Sequence, residues 1–526
     1  MEQSTKKTIN VLPELLQLLV VKTVRKNLYF LEMHFSQLAI CIVPVDRLEI
    51  IELKVQQNNL YYVSGLNTGR KGEAMQLKKI LKVKREKPEI SQTYCSPRWS
   101  GEITDCSMPM TFDQYDHCSF NCLYCFSWFQ KSLKAYNYRM RNEMGKVYQS
   151  NPIRSVRLNT IVKLFNGEIK EGVKAQFNDY INQRITMQWG GLGDPFDGYE
   201  KKYGVGLEIL RHLSAMHYPI CFSTKSTWWT EDDRYVSLFK GEKNWNTKFS
   251  IINMDENIAA AIEKGVPSPA TRLLAMRKIA RICPGGVTLR LRPFIIGMSD
   301  VDGQYLELIR KAHEQGATAV STEFFCLEDR APAETIQRYD EMTEALGIDI
   351  HKFYKVNSPG MAGYLRLNWK LKEKYIIKMR DLTHKLGMRF YVSDAHWKDQ
   401  CDGGSCCGLP NSWNYSRAQY TELLQIAKAR TDGLVYWSDI DNEQMAMYKK
   451  ILYRYCEGFN TVGSRSRTTR WNETVYDYLQ SIWNDPNSAK SPYKYFAGLF
   501  RPVKRDAEGN VVYKYQPYHN TKRSPV

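Results

Sequence analysis

The sequence predicts an α/β fold, a partial TIM-type (β/α) barrel of parallel strands with a small N-terminal module ahead of it and a mixed C-terminal extension behind it. Three observations predict it. From about residue 110 to 395, short apolar runs alternate with longer amphipathic stretches. A repeated strand–helix unit gives a parallel sheet with right-handed crossovers. The composition changes on both sides of that region, basic before it and aromatic with basic after it. A run with three cysteines, HCSFNCLYCF, also follows directly on the first strand of the series, and barrels of this kind carry their chemistry at the carboxyl ends of their strands.

The elements follow in order. Residues 1–90 read as a leading basic α/β module. LPELLQLLVVKTVRKNLYFLEMHF has helical spacing, and short β-type runs occupy Ala39 to Val63. The module closes with KKILKVKREKP, where Lys78, Lys79, Lys82, Lys84, Arg85 and Lys87 crowd before Pro88. That run is either a solvated linker or a patch for a nucleic-acid backbone. Residues 91–400 form the barrel. Its strands are TFDQYD, RITMQWGG, YPICFSTK, TKFSIIN, GVTLRLRPFIIG, ATAVSTEFF and MRFYVS, and helices such as GVGLEILRHLSAMH, Ser268–Ile282 and GQYLELIRKAHEQG lie between them. Residues 401–526 open on a cysteine-containing junction, CDGGSCCGLP, and continue into RSRTTRW, SPYKYFAGLFRPVKR and YKYQPYHNTKR. Aromatics beside cations suit stacking and phosphate contact with single-stranded nucleic acid, or else pack on the barrel with their basic heads in water.

The chain has 526 residues, enough for one large core with appendages or for two to three domains. A formal charge of +18 favours a polyanionic partner such as nucleic acid, or a strongly solubilising surface. Thirteen cysteines spread along so long a chain are unlike a secreted disulfide scaffold. No signal peptide is expected, since the apolar stretch after Lys7 is broken by Pro13, Glu14 and Gln17. No run is apolar enough to span a membrane. The expected location is the cytoplasm, where thiols stay reduced.

Cys118, Cys122 and Cys125 are separated by three and then two residues. Such a loop holds three corners of an iron–sulfur cubane and leaves one iron without a protein ligand. A structural zinc loop or three unrelated core cysteines are the other readings. CxxxCxxC with an aromatic, Tyr124, before its last cysteine resembles the cluster loop of the radical S-adenosylmethionine enzymes. The resemblance implies a [4Fe-4S] cluster and S-adenosyl-L-methionine as cofactors, reductive cleavage to a 5′-deoxyadenosyl radical, and an electron donor such as flavodoxin or ferredoxin.

One strand later comes QWGGLGDPFDGYE, whose Gly190, Gly191 and Gly193 permit close backbone approach to a ligand and whose Asp194 offers a carboxylate. The next strand ends in Ser223, Thr224, Lys225 and Ser226, and the one after carries Ser250 and Asn253. Taken in order, GDPF, STKS, FSI, EKGVPSPATRL and RPFIIGMSD resemble the spore photoproduct lyase-like branch of that superfamily over roughly residues 110 to 330. The resemblance implies Cys118, Cys122 and Cys125 as cluster ligands, Gly190, Gly191 and Asp194 at the cofactor's amino group, and Lys225 and Ser250 at its carboxylate and ribose. Glu263 and Arg272, then Pro293, Gly297 and Asp300, sit in the later motifs. One departure matters. Photoproduct lyases carry a hydrogen-returning cysteine just ahead of the aspartate-bearing turn, where this chain reads GGLGD. The match is thus to the branch and not to thymine-dimer repair by that route.

Cys401, Cys406 and Cys407, with Cys95 and Cys106 upstream, are candidates for an auxiliary iron–sulfur or zinc site. A reactive thiol and inert packing remain the alternatives. Glu323 and Tyr305 are substrate-side candidates from their places near later strand ends. The function expected is hydrogen abstraction from a substrate, nucleic acid first and a peptide, protein or small metabolite second. A non-catalytic, metal-stabilised nucleic-acid-binding protein is the reading from another class.

Overall fold

The structure is a computed structural model that describes residues 90–132, 151–329, 331–359, 364–456 and 470–517, together with the backbone of six strands between residues 9 and 63. The chain divides into two compact units, Met1–Glu89 and Ile90–Val526.

In the first unit, Ile9–Val11, Leu16–Arg25, Leu28–Met33 and Ile40–Pro44 form an antiparallel sheet, and Glu52–Gln56 pairs with Asn59–Val63. The helix expected over the leucine-rich stretch is instead two of these strands. Val20, Val21, Thr23 and Val24 explain the outcome: β-branched side chains are stiff at χ1 and fit a pleated surface better than a helix. The basic cluster Lys78–Lys87 lies outside the described residues.

The second unit is built on an eight-stranded sheet. Its strands are β1 (Arg98–Trp99), β2 (Met110–Phe112), β3 (Met187–Trp189), β4 (Ile220–Thr224), β5 (Trp245–Ser250), β6 (Val287–Phe294), β7 (Ala317–Phe324) and β8 (Arg389–Val392). Their spatial order is their chain order. All neighbours from β2 to β8 pair in parallel, and only β1 is antiparallel. With no reversal of strand order, right-handed crossovers bring every return helix to one face. This is the singly wound, barrel-like arrangement the sequence predicts. It is open among the described residues, because β1 and β8 do not pair.

The two faces of the sheet differ sharply. Trp189, Phe222, Phe249, Leu289, Leu291 and Val320 are fully buried in the main apolar core. The alternate positions are polar: Gln188, Ser223, Lys248, Ser250, Arg290 and Ser321. Register sets these side by side, with Ser223 opposite Lys248, Ser250 opposite Arg290, and Arg290 opposite Ser321. Period-two alternation therefore turns an apolar face to the helices and a polar face inward.

The segment after Cys401 crosses that inner face. Ser405 and Ser107 hydroxyls meet at 2.9 Å, Ser321 donates to the Cys406 carbonyl at 2.9 Å, and Tyr391 donates to the Leu409 carbonyl at 2.9 Å. Gly408 lies so close to β6 that a Cβ there would stand 2.8 Å from the Thr288 methyl carbon. Leu409 packs with Met108, Cys221 and Tyr415. The crossing segment thus ties the β2 side of the open sheet to β7 and β8.

Beyond it, Leu434–Val435, Phe500–Arg505 and Val511–Tyr515 make a three-stranded antiparallel sheet. Its aromatics are mostly core. Trp483 packs against Trp437 and Tyr513 with ring centres 5.5 and 5.2 Å apart, and Phe496 and Phe500 are buried. Arg501, Lys504 and Arg505 are exposed, as is Trp471, beneath the Arg454 guanidinium. Among the described residues no helix is long and apolar enough to cross a membrane.

Candidate functional site

The cysteine loop leaves β2 at its carboxyl end. Asn121–Cys122 pairs antiparallel with Glu263–Lys264, so Cys122 stands opposite Glu263. Ser119, beside Cys118, donates its N–H to the Asp197 carboxylate at 2.5 Å, and its hydroxyl accepts from the Gly198 N–H at 2.7 Å. Asp197 also caps the helix Gly198–Tyr203 by accepting from the N–H groups of Tyr199 and Glu200. One carboxylate thus fastens the cysteine loop to the glycine-rich turn. On the other flank Arg338 donates to Asn121 at 2.6 Å and to the Cys122 carbonyl, and its guanidinium lies over Trp128 at 4.4 Å.

Desolvation pushes the Cys118 thiol well above its ordinary value, and the Asp197 and Asp194 carboxylates and Cys125 add to this. Desolvation pushes Cys122 up to about 12, with Lys225 opposing and Glu263 and Cys125 reinforcing. Cys125 therefore acts on both of the other thiols. The donor set suits a soft-metal group, since three thiolates select iron–sulfur clusters or zinc, and thiols held protonated by burial ionise when a metal binds. Among the described residues no three histidine, cysteine or acidic side chains converge as a metal-holding group. Closing the trio on a cluster requires the loop to draw its sulfurs together.

The glycine-rich turn sits beside this loop. Gly190 has φ of +91°, and a Cβ there would stand 2.7 Å from the Ser223 carbonyl oxygen and 2.8 Å from Pro195. A Cβ on Gly191 would stand 2.9 Å from Arg98. Both glycines thus answer to close approach by the protein's own atoms. Asp113, just past β2, accepts the N–H groups of Leu192 and Gly193 and pairs with Arg98 at 2.6 Å. Asp194 accepts from the Thr224 hydroxyl at 2.8 Å and from the Lys225 N–H at 2.5 Å, tying the turn to the end of β4. Burial raises its carboxyl above the ordinary aspartate value against these hydrogen bonds.

Lys225 points its ammonium between two groups. It lies 3.8 Å from Glu263 and 5.5 Å from the centre of the Tyr124 ring. Glu263 is buried and pairs with Arg272 at 2.5 Å, and Tyr124 donates its hydroxyl to it. Burial opposes ionisation of Glu263, but Arg272 and Lys225 outweigh burial and hold its carboxyl below the usual range. Arg272 donates in turn to the Ser250 carbonyl at 2.7 Å, and the Ser250 hydroxyl accepts from Arg290 at 3.3 Å. The expected residues Asp194, Lys225, Ser250, Glu263 and Arg272 therefore join one network around the cysteine loop. Of the two cations of this network, the Lys225 side chain keeps 13% of its exposure and that of Arg272 none.

Others fall elsewhere. Tyr305 is buried against Phe294 and Tyr375, a packing role. Asp300 accepts from the Gly297 N–H and the Tyr375 hydroxyl, both at 2.6 Å. Cys401 is occupied by the β8 backbone, with Val392 N–H and carbonyl each 3.2 Å from its sulfur. Cys95 lies 3.9 Å from Lys174, whereas Cys106 feels Cys406. Sequence reasoning did not single out Ser119 and Asp197, which lie inside the quoted motifs and fasten the loop to the turn, nor Asp113, which holds the turn, nor Arg338, which holds the loop from outside the motifs. It also missed the inner-face bases Lys248, Arg290 and Arg292. The alternation in TLRLR, with Thr288, Arg290 and Arg292 two apart, was the signal for the last two.

No family model and no curated protein matches the chain. Solved structures do. A spore photoproduct lyase variant aligns at 18% identity over 57% of this chain and 80% of its own, with a TM-score of 0.40. The same lyase complexed with dinucleoside spore photoproduct aligns at 18% identity over 54% and 76%, with a TM-score of 0.39. Streptococcus suis SuiB bound to S-adenosylmethionine aligns at 12% identity over 56% and 52%, with a TM-score of 0.34. The structural neighbours are spore photoproduct lyase and SuiB. The site itself rests on this chain's own residues.

Proposed function

We propose that this chain is a radical S-adenosylmethionine enzyme acting on an oxygen-sheltered substrate in the inner face of its open barrel. One observation carries the reading. The three-cysteine loop leaves the first parallel strand at its carboxyl end and is fastened by Asp197 to the glycine-rich turn of the next strand. A cluster held by Cys118, Cys122 and Cys125 supplies, when bound, an electron and an open iron for the cofactor's methionine group. The chain's own residues do the rest. Asp197, Ser119 and Arg338 hold the loop, and Asp113 and Asp194 hold the turn beside it. Lys225, steadied by Glu263 and Arg272, offers its ammonium to the cofactor's carboxylate. Ser250 stands one strand further on for ribose contact. The crossing segment after Cys401 walls off the inner face, which limits water access to a radical.

The substrate class read from the net charge is nucleic acid. The test is anaerobic reconstitution with iron and sulfide, reduction in the presence of S-adenosylmethionine, and chromatography for 5′-deoxyadenosine. The wild type should hold about four irons and release the nucleoside, and a Cys118→Ala, Cys122→Ala, Cys125→Ala variant should do neither. A wild type with a full cluster and no 5′-deoxyadenosine defeats the reading.

A further inference from the structure

The inner face of the sheet carries more positive charge than the proposed cofactor chemistry uses. Lys248 is buried and donates to Gln188 at 2.6 Å, a neutral partner. Arg290 makes one hydrogen bond, at 3.3 Å, to the Ser250 hydroxyl. Arg292 pairs with Glu323. The Nε atoms of Arg290 and Arg292 are buried and have no hydrogen-bond partner among the described residues. The face is nevertheless reachable, since the Arg292 and Glu323 side chains keep 17% and 32% of their exposure. Three cations thus face one carboxylate. Burial and the neighbouring Arg292 pull Arg290 down to about 10. Arg292 is the partly matched member, since Glu323 overcomes burial and holds its guanidinium above the ordinary value, whereas Arg290 has no ion-paired carboxylate among the described residues. A desolvated guanidinium without its full set of acceptors is costly, and its fork matches the oxygens of a carboxylate or phosphate.

We propose that Lys248, Arg290 and Arg292 form an oxyanion cradle for the substrate, which therefore carries a phosphate or carboxylate group. This deepens the reading above and rests on it for the word substrate. The substrate is favoured over the cofactor's own carboxylate because the proposed function already gives that carboxylate to Lys225. Arg290 reaches the Ser250 hydroxyl at 3.3 Å, so the cradle borders the proposed ribose contact and continues from there to Lys248 and Arg292 on the inner face. Lys225 stands just past the end of β4, beside the cysteine loop.

The test is calorimetric titration of inorganic phosphate into the full-length protein at constant ionic strength. The wild type should bind saturably. Arg290→Gln and Arg292→Gln should each weaken binding about tenfold, and Arg292→Lys should retain part of it. Melting curves identify any variant that fails to fold, in which case Arg290→Lys and Arg292→Lys, which keep the charge, supply the comparison. Acetate in place of phosphate separates a carboxylate substrate from a phosphorylated one, and saturable binding of either supports the cradle. Binding of neither, or equal affinity in wild type and variants, overturns it. Excess S-adenosylmethionine on the cluster-loaded wild type should leave the phosphate affinity unchanged, and its abolition assigns the cradle to the cofactor and overturns the proposal. Release of 5′-deoxyadenosine by the wild type is scored separately. Its failure removes the radical chemistry while the anion titration still reports on the cradle.

Discussion

At the scale of single residues, Gly190 and Glu328 give the sharpest expectations. Gly190→Ala combines a left-handed backbone with a Cβ 2.7 Å from the Ser223 carbonyl oxygen. Carbonyl backbone cannot swing aside as a flexible side chain would, so the variant should lose about 2–3 kcal/mol and melt several degrees lower. Glu328 is buried on the small strand Cys326–Glu328, and burial pushes its carboxyl from 4.5 up to about 8. The folded state then holds a proton that the unfolded chain releases above about 4.5. Stability from this group therefore falls as pH rises from about 4.5 to about 8. Glu328→Gln should flatten that slope and be more stable than wild type at pH 8 by an amount on the order of 2 kcal/mol in denaturant melts. Residues of this kind divide by legibility. Cys118, Cys122 and Cys125 were legible as neighbours on one short loop because their spacing is local, and the cluster they are proposed to hold is an expectation from that spacing. Asp197 and Arg338 were not, because they meet the loop from 78 and 216 residues away. Gly190 was legible as a glycine-rich turn, but its reason, a neighbouring carbonyl, exists only once β3 and β4 lie side by side.

At the scale of elements, the short helix Gly198–Tyr203 depends on one capping carboxylate that also holds Ser119. Asp197→Ala should cost about 1–3 kcal/mol. It should also lower iron retention after gel filtration, whereas Asp197→Asn should recover part of the stability because it can still accept at the cap. The parallel strands were legible where apolar runs were long, as at GVTLRLRPFIIG, which gives β6, and ATAVSTEFF, which gives β7. TFDQYD shortens to β2, Met110–Phe112, because Asp113 turns away to serve the glycine-rich turn. The pairing of Asn121–Cys122 with Glu263–Lys264 was invisible, since two residues carry no period. The N-terminal helix failed for the opposite reason. Leu16, Leu18 and Val20 are two apart and so fit a strand period as well, and β-branched neighbours decided between the two.

At the scale of the whole molecule, the charge of +18 makes a prediction that does not depend on catalysis. If single-stranded DNA is engaged through about six phosphates, its affinity should drop by about two and a half decades between about 50 and about 200 mM salt, measured by fluorescence anisotropy. A flat salt response would remove nucleic acid as the partner. Fold class, the order of motifs and the open barrel were readable from the sequence because each strand–helix unit is local. The polar lining was not, because it forms only when every second side chain of several strands meets across the sheet. The stretch from Ser405 to Asn414 joins that lining last, fastening to Ser107, Ser321, Tyr391 and Thr186. During synthesis, the interior must consequently stay unroofed until the ribosome has passed residue 414. A nascent chain halted before then would offer its guanidinium-rich floor to bulk solvent, so closure of the interior is a late event in the birth of this protein.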